Sequence, residues 1–189
     1  MTDASFPQDQ SRRALLLAAT AAAPGLVLGA YAWRRYALTG RLFNPLSAEK
    51  FDLPPVPGLL DASGAPVPGF SAGDIAGKAV YLSAFASWCP NCLEEHASLM
   101  EFARTPGVTI LGMASLDDPA NTLQFLRKEG NPFSRVGVDR KGWLYRALGA
   151  RGVPAHFVMG PAPKVALMLQ GSQSVEALRE KILPLIAGA

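Results

Sequence analysis

Ala79 to Cys92 reads AVYLSAFASWCPNC, and the reading of this stretch decides the rest. Its first eight residues are apolar on both faces, the pattern of a central strand covered from two sides. Pro90 suits the first position of a helix, where its missing N–H would have no partner anyway. The helix that follows extends to about Arg104, and Thr105-Pro106-Gly107 stops it. A strand ending at Cys89 with a helix starting at the next residue sets one thiol at a helix N-terminus. There the unpaired N–H groups and the helix dipole favour an anion, so a thiolate is stabilised. Cys92 lies one turn further on, close enough to close a small disulfide ring with Cys89.

This spacing is the chemistry of thiol–disulfide exchange. One thiolate attacks a partner's disulfide, a mixed disulfide forms, and a second thiol resolves it. Cys89 is expected to be the exposed nucleophile and Cys92 the buried resolving thiol. A purely structural disulfide gains little from closing so short a loop. A zinc site wants four ligands, and beyond the two cysteines only His96 and His156 could supply imidazole. Glu95, three residues past Cys92, falls on the same side of the helix and is a candidate to accept or deliver the Cys92 proton. Glu94 reads as an ordinary exposed glutamate, and His96 as a surface residue.

Outward from this unit, strands and helices alternate. Val108–Met113 is a second buried strand, and Pro119 opens a helix to Lys128 that Gly130-Asn131-Pro132 ends. A short strand near Arg135–Val138 and a short helix near Trp143–Leu148 follow. His156–Gly160 and Val165–Gln170 form two further strands around the turn at Pro161-Ala162-Pro163. Ser174 caps a last helix through about Ile186, with Val175, Leu178, Ile182 and Leu185 on one face. The order predicts an α/β domain with a mixed central sheet flanked by helices. Upstream, Leu42 to about Gly77 is rich in Pro and Gly and reads as a tether leading into short extended pieces and a small hairpin.

The chain of 189 residues can bury a core without disulfide staples. Its net charge of +3 is not spread evenly: residues 1–50 hold six Lys/Arg against three Asp/Glu, and residues 51–189 twelve of each. The domain therefore lacks the basic excess that nucleic-acid binding needs. The excess flanks Ala14–Trp33, twenty uncharged residues that as a helix would span about 30 Å of hydrocarbon. Ser11-Arg12-Arg13 before it resembles a twin-arginine export signal, or an ordinary n-region. A retained signal anchor and a cleaved signal, cut after Ala30-Tyr31-Ala32, both fit; a buried helix would need an amphipathic pattern that is not there. Arginines on both sides leave orientation nearly unread. The implied organisation is a basic segment 1–13, a signal anchor or signal peptide 14–33, a tether 34–50 and a domain 51–189.

Trp88-Cys89-Pro90-Asn91-Cys92 with Glu95-His96, then Gly130-Asn131-Pro132-Phe133, Asp139, Leu148-Gly149 and Gly152-Val153-Pro154, resembles the DsbE/CcmG group of thioredoxin-like proteins of cytochrome c maturation, related to ResA and TlpA. The resemblance covers roughly residues 50–189 and implies a thioredoxin-like fold and a thiol:disulfide oxidoreductase. Its members act on the periplasmic side of the bacterial inner membrane, anchored or exported. They reduce apocytochrome c or its chaperone and are kept reduced by a transmembrane thiol carrier of the DsbD or CcdA type. They need no cofactor or metal beyond the redox-active pair, here Cys89–Cys92. By the same resemblance Pro154 is a cis-proline opposite the cysteines, and Val153 and Trp88 belong to the surface that meets a bound peptide. From sequence alone Pro154 could equally be a strand-entry proline.

Two positions depart from the group. Ala155-His156 stand where an acidic residue and Thr usually follow the proline, which removes one candidate acid near the cysteines and leaves the client open. His156 either tunes the site or points into the core. Alternative functions are a reductase for an oxidase copper-site cysteine pair, a copper chaperone, or an oxidant. The two-residue gap between the cysteines argues against the chaperone. A monomer is expected, since no helix shows a spare apolar face.

Overall fold

The computed structural model describes residues 50–161 and 164–186. The expected basic segment, signal segment and tether lie outside the described residues, except for Lys50. Among the described residues no helix is long and apolar enough to cross a membrane.

The apolar stretch that opened the reading is β3 (Val80–Phe85), and the helix after it is α2 (Pro90–Phe102). β4 (Ile110–Ser115) and α3 (Pro119–Glu129) follow, then β5 (Arg135–Asp139) and α4 (Trp143–Ala147). The chain closes with β6 (Ala155–Met159), β7 (Val165–Gln170), α5 (Val175–Lys181) and α6 (Leu183–Ile186). The five strands stand in the order β5-β4-β3-β6-β7. β3, β4 and β5 run parallel, while β6 is antiparallel to β3 and β7 to β6. This is the mixed sheet the alternation predicts, with β3 at its centre.

Two apolar clusters cover the two faces. One holds Tyr81 and Phe85 of β3 with Leu99 and Phe102 of α2, Leu126 of α3 and Leu178 of α5. The other holds Leu82 and Ala84 of β3 with Leu144, Tyr145 and Leu148 around α4. Alternate residues of β3 thus go to opposite faces, and the cysteines belong to the first cluster.

The last helix differs from expectation. Lys181 ends α5, α6 is a separate short turn containing Pro184, and Leu185 is exposed rather than on the buried face. A proline inside a helix removes a backbone hydrogen bond and crowds the preceding turn.

The Pro/Gly-rich segment is also more than a tether. Phe51, Leu53, Val56, Leu59, Val67 and Phe70 are buried. β1 (Asp52–Leu53) and β2 (Phe70–Ser71) form the expected small antiparallel pair, and a short α1 (Ala72–Ile75) leads to β3. Val136 and Val138 of β5 donate to the carbonyls of Pro68 and Pro54, both at 2.9 Å. Prolines accept but cannot donate, so they satisfy the outer edge of β5 and end the ladder there.

Candidate active site

Cys89 occupies the N-cap position of α2, with Pro90 at the first helical position. Cys92 N–H and Leu93 N–H both donate to the Cys89 carbonyl, at 3.1 and 3.2 Å, which closes the first turn. The two cysteines are free thiols. The Cys89 thiol donates to the Val153 carbonyl at 3.5 Å. The Val153-Pro154 bond is cis, as the resemblance implied, and Pro154 lies at the entry to β6. One expectation needs correcting. Cys89 is only 6% exposed and Cys92 1%, so both thiols are buried and differ in degree rather than kind. The residue before the cis-proline, Val153, meets Cys89 through its carbonyl.

Burial pushes the Cys92 thiol well up, reinforced by its hydrogen bond with Cys89 and by the charges of Cys89 and Glu95; a bond with the Ala86 backbone opposes this. Glu95 is one turn further along α2 and is itself buried. Its Oε2 accepts from the Gln173 backbone N–H at 3.1 Å and faces His156 Nε2 at 3.2 Å. Its Oε1 is buried with no hydrogen-bond partner. In a buried carboxylate the unpartnered oxygen is the one able to take a proton.

Of the two readings of His156, the structure shows the second: it points into the core, and there it faces Glu95. Its Nδ1 lies 2.8 Å from the Tyr81 hydroxyl. Burial, reinforced by the Glu95 charge, holds the Tyr81 phenol well above its usual range, so it stays a hydroxyl. His96 departs from expectation. It is 4% exposed, its ring is edge-on to Phe125, and its Nε2 lies 3.0 Å from the Gly130 carbonyl. Desolvation holds its imidazole below the usual value, against the pull of that bond. The neutral imidazole ties α2 to the loop that ends α3. Ala155 packs in the second apolar cluster, where an acidic side chain would be buried without charge partners.

The residues just before Cys89 are held by the β4–α3 loop, which sequence reasoning did not single out. Buried Asp117 accepts from Ser87 N–H at 2.7 Å, Ser87 Oγ at 2.9 Å, Asp118 N–H at 2.9 Å and Thr122 Oγ1 at 2.9 Å. Trp88, 58% exposed, donates its indole N–H to the Leu116 carbonyl at 2.9 Å. Leu116 has a φ of 56°, a left-handed backbone that is uncommon for a leucine. Ser115-Leu116-Asp117-Asp118-Pro119 carries a helix-start signal, and Asp118 fulfils it by capping Ala120 N–H. Nothing local reveals that Asp117 reaches back thirty residues to Ser87. Asp139 plays a matching role at α4, accepting from the N–H groups of Trp143, Leu144 and Tyr145 at 3.0, 3.1 and 3.2 Å.

A family model for Redoxin matches residues 59–175, which include both cysteines, Glu95, Val153, Pro154 and His156. The thiol:disulfide interchange protein CycY of Rhizobium leguminosarum bv. viciae is 30% identical over 120 residues, 64% of each chain. HelX of Rhodobacter capsulatus, of the same description, is 32% identical over 130 residues, 68% of this chain and 73% of that one. The chain thus spans roughly two thirds of the curated relatives it matches. Among solved structures, a Chlorobium tepidum protein described as DsbE superposes with a TM-score of 0.57 at 26% identity, covering 74% of this chain and 94% of that one. A secreted disulfide oxidoreductase of Mycobacterium tuberculosis homologous to E. coli DsbE superposes at 0.59 with 23% identity, over 74% and 98% of the two chains, and shows the thioredoxin-like fold alone. The chain belongs to the Redoxin family, in its DsbE/CcmG-type group of thiol:disulfide interchange proteins.

Proposed function

We propose that the protein is an extracytoplasmic thiol:disulfide oxidoreductase that reduces a protein disulfide, with Cys89 as nucleophile and Cys92 as resolving thiol. The observation that carries this reading is the pairing of Cys89, at the helix N-terminus beside the Val153 carbonyl, with the deeper Cys92, one turn below it and next to Glu95. The Cys89 thiolate attacks one sulfur of the client disulfide, and the client's other sulfur leaves as a thiolate. Cys92 passes its proton to Glu95 Oε1, and its sulfur attacks Cys89 Sγ. The client's second thiolate leaves, and a Cys89–Cys92 disulfide remains. Two electrons go to the client, which takes up two protons as its thiols form. A membrane dithiol carrier of the DsbD or CcdA type returns the pair to the reduced state.

Membership of the DsbE/CcmG-type group supports apocytochrome c, or the chaperone that presents it, as client, and a periplasmic site of action. Trp88 and the Val153-Pro154 edge flank Cys89 and form the surface that meets the client. No cofactor takes part beyond the cysteine pair.

The test is a Cys92→Ser protein mixed with an oxidised apocytochrome c peptide carrying its Cys-X-X-Cys-His pair. A stable mixed disulfide through Cys89 is expected, and its absence defeats the assignment of the two thiols. A reduction potential near that of DsbA, about −120 mV, would overturn the reductant direction.

A further inference from the structure

Four groups from four parts of the chain meet beneath the cysteines: Glu95 from α2, Tyr81 from β3, His156 from β6 and the Gln173 backbone between β7 and α5. The side chains of Glu95 and His156 are 1% and 0% exposed. The titratable groups on which the Glu95 charge acts are Cys92 and His96 from α2 and Tyr81 from β3.

The hydrogen-bond directions follow in sequence. Oε2 of the Glu95 carboxylate can only accept, so Nε2 of His156 carries the proton that faces it, and in a neutral ring Nδ1 is left to accept from the Tyr81 hydroxyl. The Gln173 N–H also donates to Oε2. Oε2 is doubly occupied, while Oε1 has no partner. The carboxylate is thereby fixed in rotation, with one oxygen engaged and the other buried without a partner, one helical turn from Cys92 and near enough for its charge to act on that thiol.

Could the chain instead conduct the proton out to solvent? It ends at Tyr81, which is fully buried with its ring edge-on to Phe102 at 6.0 Å. A wire that ends in the core delivers nothing to water, so the geometry favours a brace.

We propose that His156 is a positioning residue for proton transfer at Cys92: with Tyr81 donating to its Nδ1, it holds Glu95 so that Oε1 alone is open to the thiol. This rests on the reading of Cys92 as resolving thiol.

The test uses the reduced protein, rapidly mixed with dithiobis(nitrobenzoate). Attack by Cys89 releases one coloured thiolate and leaves a mixed disulfide. Attack by Cys92 then releases the second, so two phases report the two thiols separately. His156→Leu is expected to slow the second phase about ten- to a hundredfold, the span of one hydrogen bond to a charged group, and to leave the first unchanged. It should also displace the pH profile of the second phase. His156→Gln, which keeps an N–H donor, should recover most of the rate. Tyr81→Phe, which removes the donor to Nδ1, should act in the same direction by a smaller factor. In a Glu95→Gln background His156→Leu should change the second phase less than about twofold, because the two residues act as one unit.

Equal slowing of both phases, or the same loss in either background, would overturn the proposal and leave His156 a packing residue. If the wild type gives no second phase dependent on Cys92, the resolving-thiol reading itself fails, and the proposal with it. Should His156→Leu not fold, Tyr81→Phe and His156→Gln decide by the same second-phase readout.

Discussion

Asp117→Ala removes the carboxylate that holds the turn into Cys89. Four donors lose their acceptor: Ser87 N–H, Ser87 Oγ, Asp118 N–H and Thr122 Oγ1. They do not count equally. Asp118 is exposed, so water takes over its N–H. Ser87 is half-buried, and Thr122 is fully buried, with a hydroxyl that can rotate toward another acceptor. A buried donor left unpaired costs about 1–3 kcal/mol. With two of the three remaining donors partly able to re-pair, the expected loss is about 3 kcal/mol.

That is a large share of a typical stability of about 5–15 kcal/mol, but the domain should still fold. The melting temperature should fall on the order of 10 °C for a domain of this size. Urea unfolding of wild type, Asp117→Ala, Ser87→Ala and the double variant measures both the loss and its origin. Ser87→Ala keeps the shortest of the bonds, from the backbone N–H, and should cost about 1 kcal/mol. The double variant should fall short of the sum by about 1 kcal/mol, because the two residues share the interaction. A loss below about 0.5 kcal/mol for Asp117→Ala, or strictly additive losses, would refute the claim that this carboxylate braces the active-site turn.

Burial of neutral His96 predicts a pH-dependent stability. Its imidazole titrates below the ordinary 6.5, so the stabilisation is fully present above that pH and is lost as pH falls through the lowered value. His96→Phe should flatten the acid side of a plot of unfolding free energy against pH, and an unchanged slope would contradict the assignment. The raised Cys92 thiol acts in the opposite sense: its contribution to the reduced protein is complete below the ordinary 9.0 and is lost above it. Thermal unfolding of the reduced form should show a decline above about pH 9 that Cys92→Ala lacks. Iodoacetamide at neutral pH should label Cys92 much later than Cys89, as mass spectrometry would show; prior labelling of Cys92 rejects the effect of burial on that thiol. Finally, a Cβ on Gly137 would lie 2.5 Å from Leu53 Cβ and 2.8 Å from the Phe70 ring. Gly137→Ala should therefore cost about 1–3 kcal/mol by overpacking and loosen the β1–β2 strap, seen as faster amide exchange at Val136 and Val138.

Much of this molecule is written locally. Alternating faces, the Pro90 and Pro119 helix starts and the Cys-Pro-Asn-Cys spacing depend on residues a few positions apart, and they placed β3, α2 and both thiols. Leu185 and the single closing helix failed because Pro184 splits a stretch whose apolar spacing alone looked continuous. His96 failed for a different reason. On α2 its neighbours suggest an outward face, but Gly130 and Phe125 arrive from α3 and its end and enclose it.

By itself the sequence determined the Cys-Pro-Asn-Cys pair, the order of the elements around it and the group to which the chain belongs. Only the tertiary structure decided that Glu95 has one open oxygen. That outcome needs β6 antiparallel to β3, in the register that sets His156 opposite Ser83 and beside Tyr81. It also needs α2 packed over that face, so that residues 61 and 75 positions apart come within hydrogen-bonding distance. Such contacts are set by strand register and helix docking, which no local spacing in the chain encodes.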